Sequence, residues 1–221
     1  MDETGSGRSN EAFDDRNELD PGDAALLVEQ TARQAQRAFD LVSPVAAAVG
    51  AGVFLVGYGA VWWSIRGEAT YTGSPGWAIG VLYGAIGVAA IVGGTVARRA
   101  TAGVRGRSAR RQVAQAVAVG AAGIGAWMVQ GALLHLGVPA EIVYGVYGPT
   151  VPLIALAAAG AGVAATRERW PELWLSVAII AVASLSTFFG PQGAWGLTGL
   201  GAAVALLIYA SAMWRRRAAK R

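Results

Sequence analysis

The stretch "PGWAIGVLYGAIGVAAIVGGTVA" (75–97), followed at once by "RRATAGVRGRSARRQ" (98–112), decides the fold. The first part carries no charge. Helical rise is 1.5 Å per residue, so about 20 apolar residues cross a hydrocarbon core roughly 30 Å thick. The second part holds Arg98, Arg99, Arg105, Arg107, Arg110 and Arg111. An arginine at mid-membrane costs roughly 2.5–3.5 kcal/mol on an insertion scale, so the step from 97 to 98 reads as a membrane edge. Clustered arginine stays on the cytoplasmic side, which orients the segment.

Five more apolar runs lie around it, at about 43–65, 113–136, 142–165, 172–189 and 193–214, the fifth span (172–189) being the shortest of the six. Their connections alternate in charge. Arg33 and Arg37 precede the first run, Arg167 and Arg169 follow the fourth, and Arg215, Arg216, Arg217, Lys220 and Arg221 follow the sixth. The intervening connections hold only Arg66 with Glu68, His135 with Glu141, and an uncharged "GPQGA" turn. The predicted architecture is therefore all-α: a polytopic bundle of six transmembrane helices, multi-pass in the inner (plasma) membrane, with both termini cytoplasmic. Trp62, Trp63, Trp77 and Trp195 are expected at the outer interface, and Trp170, Trp174 and Trp214 at the inner one. Composition agrees: 54% of residues are hydrophobic and only 14% charged, against about 25% charged in ordinary soluble domains.

The chain before the first span divides in two. Residues 1–22 are acidic and rich in Gly, Ser and Asn, a composition that buries too little apolar surface to order itself, so a disordered cytoplasmic tail is expected. Residues 23–40 read as a short helix with Asp23 as N-cap, either interfacial or a cytoplasmic extension of the first span. Residues 41–214 form the transmembrane domain and 215–221 a basic cytoplasmic end.

Several chemistries are excluded by residue usage. There is no Cys and a single histidine, His135, so neither thiolate nor multi-histidine metal ligation is possible, and no cofactor is expected. The sequence has no Gly-x-Ser nucleophile in a suitable setting, no paired intramembrane Asp and no His-Glu-x-x-His, so no enzyme is expected. No Asp, Glu, Lys or Arg lies in the interior of a predicted span, whereas proton relays and ion-coupled transport normally need such groups. The net charge of +4 combines an acidic start with basic connections. It reports orientation in the membrane and is no sign of nucleic-acid binding.

Three constellations remain. Gly76, Gly80 and Gly84 form a GxxxGxxxG stripe, expected to admit another helix backbone at close range, the partner being first an intramolecular helix and second another copy of the chain. Pro149 and Pro152 lack an N–H, so the Gly145 and Gly148 carbonyls are expected to lose their partners and the fourth helix to kink. Gln130, Tyr144, Tyr147, Thr150, Ser184 and Thr187 fall in the outer half, where they either line a vestibule for a ligand or hydrogen-bond between helices, the second being the simpler outcome. The arginine loop is first a topological anchor that also meets anionic lipids, and second a docking surface for a protein partner.

The pre-membrane helix, six spans, "GVRGRSARRQ" (103–112) and "FFGPQGAWGLTGLGAA" (188–203) together resemble small six-helix membrane proteins of high-GC actinobacteria, from which no activity carries over. The usage of 17 Arg against one Lys fits such a genome. The layout is also similar to the membrane subunits of export-type ABC transporters, with a cytoplasmic loop after the second span that would meet an ATPase. It departs from them in the shortness of that loop and of the connection after the fifth span. The expected function is that of a non-enzymatic accessory or permease-like subunit with a basic cytoplasmic partner surface. The alternative is a stand-alone carrier or channel for a small neutral or lipophilic molecule.

Overall fold

The computed structural model describes Gly22, Ala25, Leu26 and Glu29, residues 44–67, Tyr71, and residues 73–101 and 107–219. Residues 1–40 and 41–221 are separate units. The four described residues of the first are helical. The expected tail and pre-membrane helix otherwise lie outside the described residues, as does Arg105.

Each of the six apolar runs is helical, and the described residues contain no strand. Helix α1 spans Pro44–Ile65 and widens into a π turn at Phe54–Tyr58. Helices α2 and α3 span Gly76–Thr101 and Arg107–His135. Helix α4 spans Glu141–Ala165, and its first part, Glu141–Tyr147, is π-helical. Helix α5 spans Trp170–Ser186, a 3-10 turn covers Thr187–Phe189, and α6 spans Gly190–Ala218.

The ends follow from local chemistry. After α3, Gly137 takes φ +80°, and the Val138 and Gly137 N–H groups return to the Leu133 and Leu134 carbonyls. This glycine-closed end satisfies carbonyls that the helix itself leaves open. After α4 the same reversal is made without glycine: Glu168 sits at φ 54° while the Arg169 N–H reaches the Ala164 carbonyl. Pro171 and Glu172 then occupy the first turn of α5, where a missing N–H is harmless and a carboxylate favours the helix dipole.

Four helical stretches among the described residues are long and apolar enough to cross a membrane: Pro44–Ile65, Val113–His135, Glu141–Ala165 and Trp170–Arg216. The last, 47 residues long, is not one rod. Gly190 takes φ 69° and ψ −170° and the chain folds back. Ser186 bonds Thr198, and Glu172 bonds Tyr209, so α5 and α6 run antiparallel. Helix α1 is antiparallel to α6 as well: Gly50 lies against Leu206, Gly199 against Tyr58 and Gly196 against Trp62. Gly57 abuts Leu82 of α2, and Gly123 and Gly148 of α3 and α4 abut Leu156 and Gln130. The basic ends of α2, α3, α4 and α6 consequently share one end of the bundle.

Two buried clusters hold the centre. One joins Ala47 and Ala51 to Ala203, Leu206, Tyr209 and Ala210. The other joins Val61, Ile65, Ala78, Leu82 and Trp195. The first is rich in alanine, as close packing between helices in lipid favours, and the second is built on larger side chains around Trp195. The close approach expected at Gly76, Gly80 and Gly84 is made elsewhere. A Cβ built on any of these three meets nothing within 4 Å. Helix α2 turns Ala78 and Leu82 to α1, and a two-residue offset is about 200° of helical rotation, so the stripe points away. The tight positions are Gly57, Gly145, Gly193, Gly196, Gly199 and Gly201.

Candidate functional site

The irregular part of α4 is its π turn, which ends just before Pro149. The π turn pairs the Gly148 N–H with the Val143 carbonyl, five residues back. The next donor in that pattern would be Pro149, which has no N–H. The Tyr144 carbonyl therefore lacks the donor that this pattern would give it. Trp195 supplies the donor, its indole Nε1 reaching the Tyr144 oxygen at 3.3 Å. Tyr58 Oη donates to the Pro149 carbonyl at 3.0 Å, and its ring lies 5.1 Å from that of Trp195. The two aromatic residues thus tie α1 and α6 to the irregular part of α4. Neighbouring helices commonly satisfy proline-freed carbonyls in this way in membrane proteins.

Trp195 is accordingly no interfacial belt residue. It is 5% exposed, because its indole N–H has an internal acceptor. Trp62, Trp63 and Trp77 do face outward, as do Trp170, Trp174 and Trp214 at the other end. The Arg66 guanidinium lies 3.0 Å from the Trp63 ring centre, an arrangement in which the ring face attracts the cation.

The outer polar residues are distributed as follows. Tyr147 Oη donates to the Ala126 carbonyl of α3 at 2.9 Å. Thr150 is fully buried and its hydroxyl returns to the Val146 carbonyl of its own helix at 2.7 Å. Thr187 does likewise to Ser184 at 2.7 Å. Gln130 is half-buried beside Gly148, Ser184 is half-buried on α5, and Tyr144 is exposed. Among the described residues no hydrogen bond joins Gln130, Thr150 and Ser184, and no buried side-chain N or O lacks a partner. Ser186 and Thr198, both fully buried, bond each other at 2.6 Å.

At the basic end, Arg98 and Arg99 lie in the last turns of α2, and Arg107, Arg110 and Arg111 in the first turns of α3. Arg215 and Arg216 are exposed on α6. The Arg167 guanidinium donates to Gln115 Oε1 of α3. Glu172 Oε1 accepts from Arg169 at 3.3 Å and from Tyr209 Oη at 3.1 Å. Sequence reading passed over Glu172 because it stands at the very edge of an apolar run. A carboxylate between Trp170 and Trp174, three residues after an arginine, was the available signal. The Tyr209–Glu172 bond predicts coupling. In a double-mutant cycle on detergent unfolding, Tyr209→Phe and Glu172→Ala should be non-additive by about 1 kcal/mol. Strictly additive effects would mean the contact contributes nothing.

Among the described residues no group of three or more His, Cys, Asp or Glu converges to hold a metal ion. No protein-family model matches the chain, and no curated protein or solved structure is detectably similar to it.

Proposed function

We propose that this is a six-span protein of the plasma membrane, with both termini cytoplasmic, that acts as a non-enzymatic accessory or permease-like subunit through its basic end. One observation carries the reading: the antiparallel register collects the arginines of α2, α3, the α4–α5 turn and α6 at a single end. An end where arginines outnumber the nearby Glu168 and Glu172 steers and holds a complementary partner. Anionic lipid headgroups share the same surface. The internal bonding of Tyr147, Thr150 and Thr187 favours this over a carrier with a ligand site among those residues.

The chain has no Cys, so single introduced cysteines report without background. Impermeant thiol reagents applied to intact cells should miss Gly103→Cys and Ala219→Cys and label Ala140→Cys. External labelling at 103 would overturn the orientation. Cross-linking and purification in mild detergent should recover a cytoplasmic protein. Changing Arg105, Arg107, Arg110 and Arg111 to Gln should reduce its yield by tenfold or so, on the basis of about 1.4 kcal/mol per decade. If nothing cytoplasmic is recovered, and the quadruple change alters only orientation, the subunit reading fails.

A further inference from the structure

We infer that the tip of the α5–α6 hairpin stops inside the outer leaflet, where Phe188 and Phe189 contact lipid acyl chains and not water. The inference rests on the membrane-spanning reading above. Two independent rulers place the tip. The first starts from the inner side. The Arg169–Glu172 ion pair belongs at headgroup depth, since charge is excluded from hydrocarbon, and the exposed Trp170 and Trp174 flank it as interfacial anchors do. From Leu173 up α5 and through the 3-10 turn to Phe188, the rise is about 24 Å, several ångströms short of a core roughly 30 Å thick.

The second ruler starts from the outer side. Pro191 lies against Gly145, 2.8 Å from a Cβ built there, and Gln192 Nε2 reaches the Ile65 carbonyl at 3.3 Å. Glu141, the first charge on that side of α4, is about one helical turn, roughly 6 Å, beyond Gly145. Arg66 comes after Ile65. The start of α6 is therefore level with the last residue of α1, next to Arg66, and about one turn below Glu141 of α4, which puts the tip at the outer edge of the apolar layer.

The chemistry of the tip suits that depth. The Gly190 N–H returns to the Thr187 carbonyl, the Thr187 hydroxyl to Ser184, and the Gln192 amide turns inward to Ile65. Backbone that leaves helical geometry is tolerated at membrane depth when its polar groups are satisfied by protein. Phe188 and Phe189 are 84% and 67% exposed, beside the exposed Leu185, a continuous apolar surface on a turn without charge. A turn in water would present Phe to solvent against the hydrophobic effect.

The test uses single spin labels on the full chain in phospholipid nanodiscs, at Phe188→Cys and Phe189→Cys. Ala181→Cys on the exposed mid-face of α5 and Ala140→Cys in the α3–α4 connection serve as references. Collision with molecular oxygen, which partitions into lipid, is compared with collision with a water-soluble nickel chelate. Labels at 188 and 189 should favour oxygen over nickel several-fold, as at 181, while the label at 140 favours nickel. If 181 favours oxygen but both 188 and 189 match 140, the recessed tip is wrong and the spans stand. If 181 also favours nickel, the membrane-spanning reading itself has failed, and the tip proposal with it.

Discussion

Replacing Gly199 by Leu is expected to lower the detergent unfolding stability by about 3 kcal/mol, the upper part of the usual range for overpacking. A Cβ at 199 would lie 2.5 Å from Tyr58 Cβ and 3.4 Å from the Phe54 carbonyl oxygen. Both atoms belong to rigid parts of α1, so relief requires moving a helix and not merely turning a side chain. Even Gly199→Ala should be measurably destabilising. Gly80→Leu is the matched control. Nothing lies within 4 Å of its Cβ, and the same side-chain addition should leave the melt within error of the parent. A drop at 80 alone would show that α2 and not α6 carries the close helix contact, and equal effects would show that both do.

Truncating Trp195 to Ala should be comparably damaging, about 3–5 kcal/mol. The side chain is buried among Val61, Ile65, Ala78 and Leu82, meets the Tyr58 ring at a tilt and holds the Tyr144 carbonyl. Trp195→Phe separates these roles: most of the packing survives while the indole donor is lost. The remaining cost should be about 1–3 kcal/mol, that of a buried acceptor left without its partner. A Phe variant as stable as the parent would mean that the Tyr144 carbonyl finds another donor, and that Trp195 acts through volume alone. Tyr58→Phe removes the second donor to α4. Combined with Trp195→Phe it should give a non-additive loss, because both act on the same irregular turn.

Much of the fold was legible because the bilayer imposes a simple rule. Uncharged runs of helical length stand out from charged connections, and the six observed helices match the six apolar runs to within a few residues apart from the longer charged ends of α2, α3 and α6. The proline pair foretold an irregularity in α4. What failed to show was how faces pair. A GxxxGxxxG stripe says that one face of α2 is flat, but not which way it points, and in this fold Ala78 and Leu82 take the contact instead. Trp195 reads in sequence like any interfacial tryptophan. Its burial depends on Tyr144, 51 residues away, and on a π turn that no local pattern announced.

The amino-acid sequence by itself determined the helical class, the number and limits of the apolar segments, and the alternation of charge between their connections. These follow from one-dimensional physics: the transfer of charge and apolar surface, and the obligation of backbone groups in lipid to bond within a helix. Only the tertiary structure decided which glycines are tight, which aromatic residues supply donors to α4 and how Glu172 is paired. Each of these depends on rotation and depth of one helix against another. In lipid those are set by the sum of many weak packing contacts and a few interhelical hydrogen bonds, and no single segment of the chain encodes that sum.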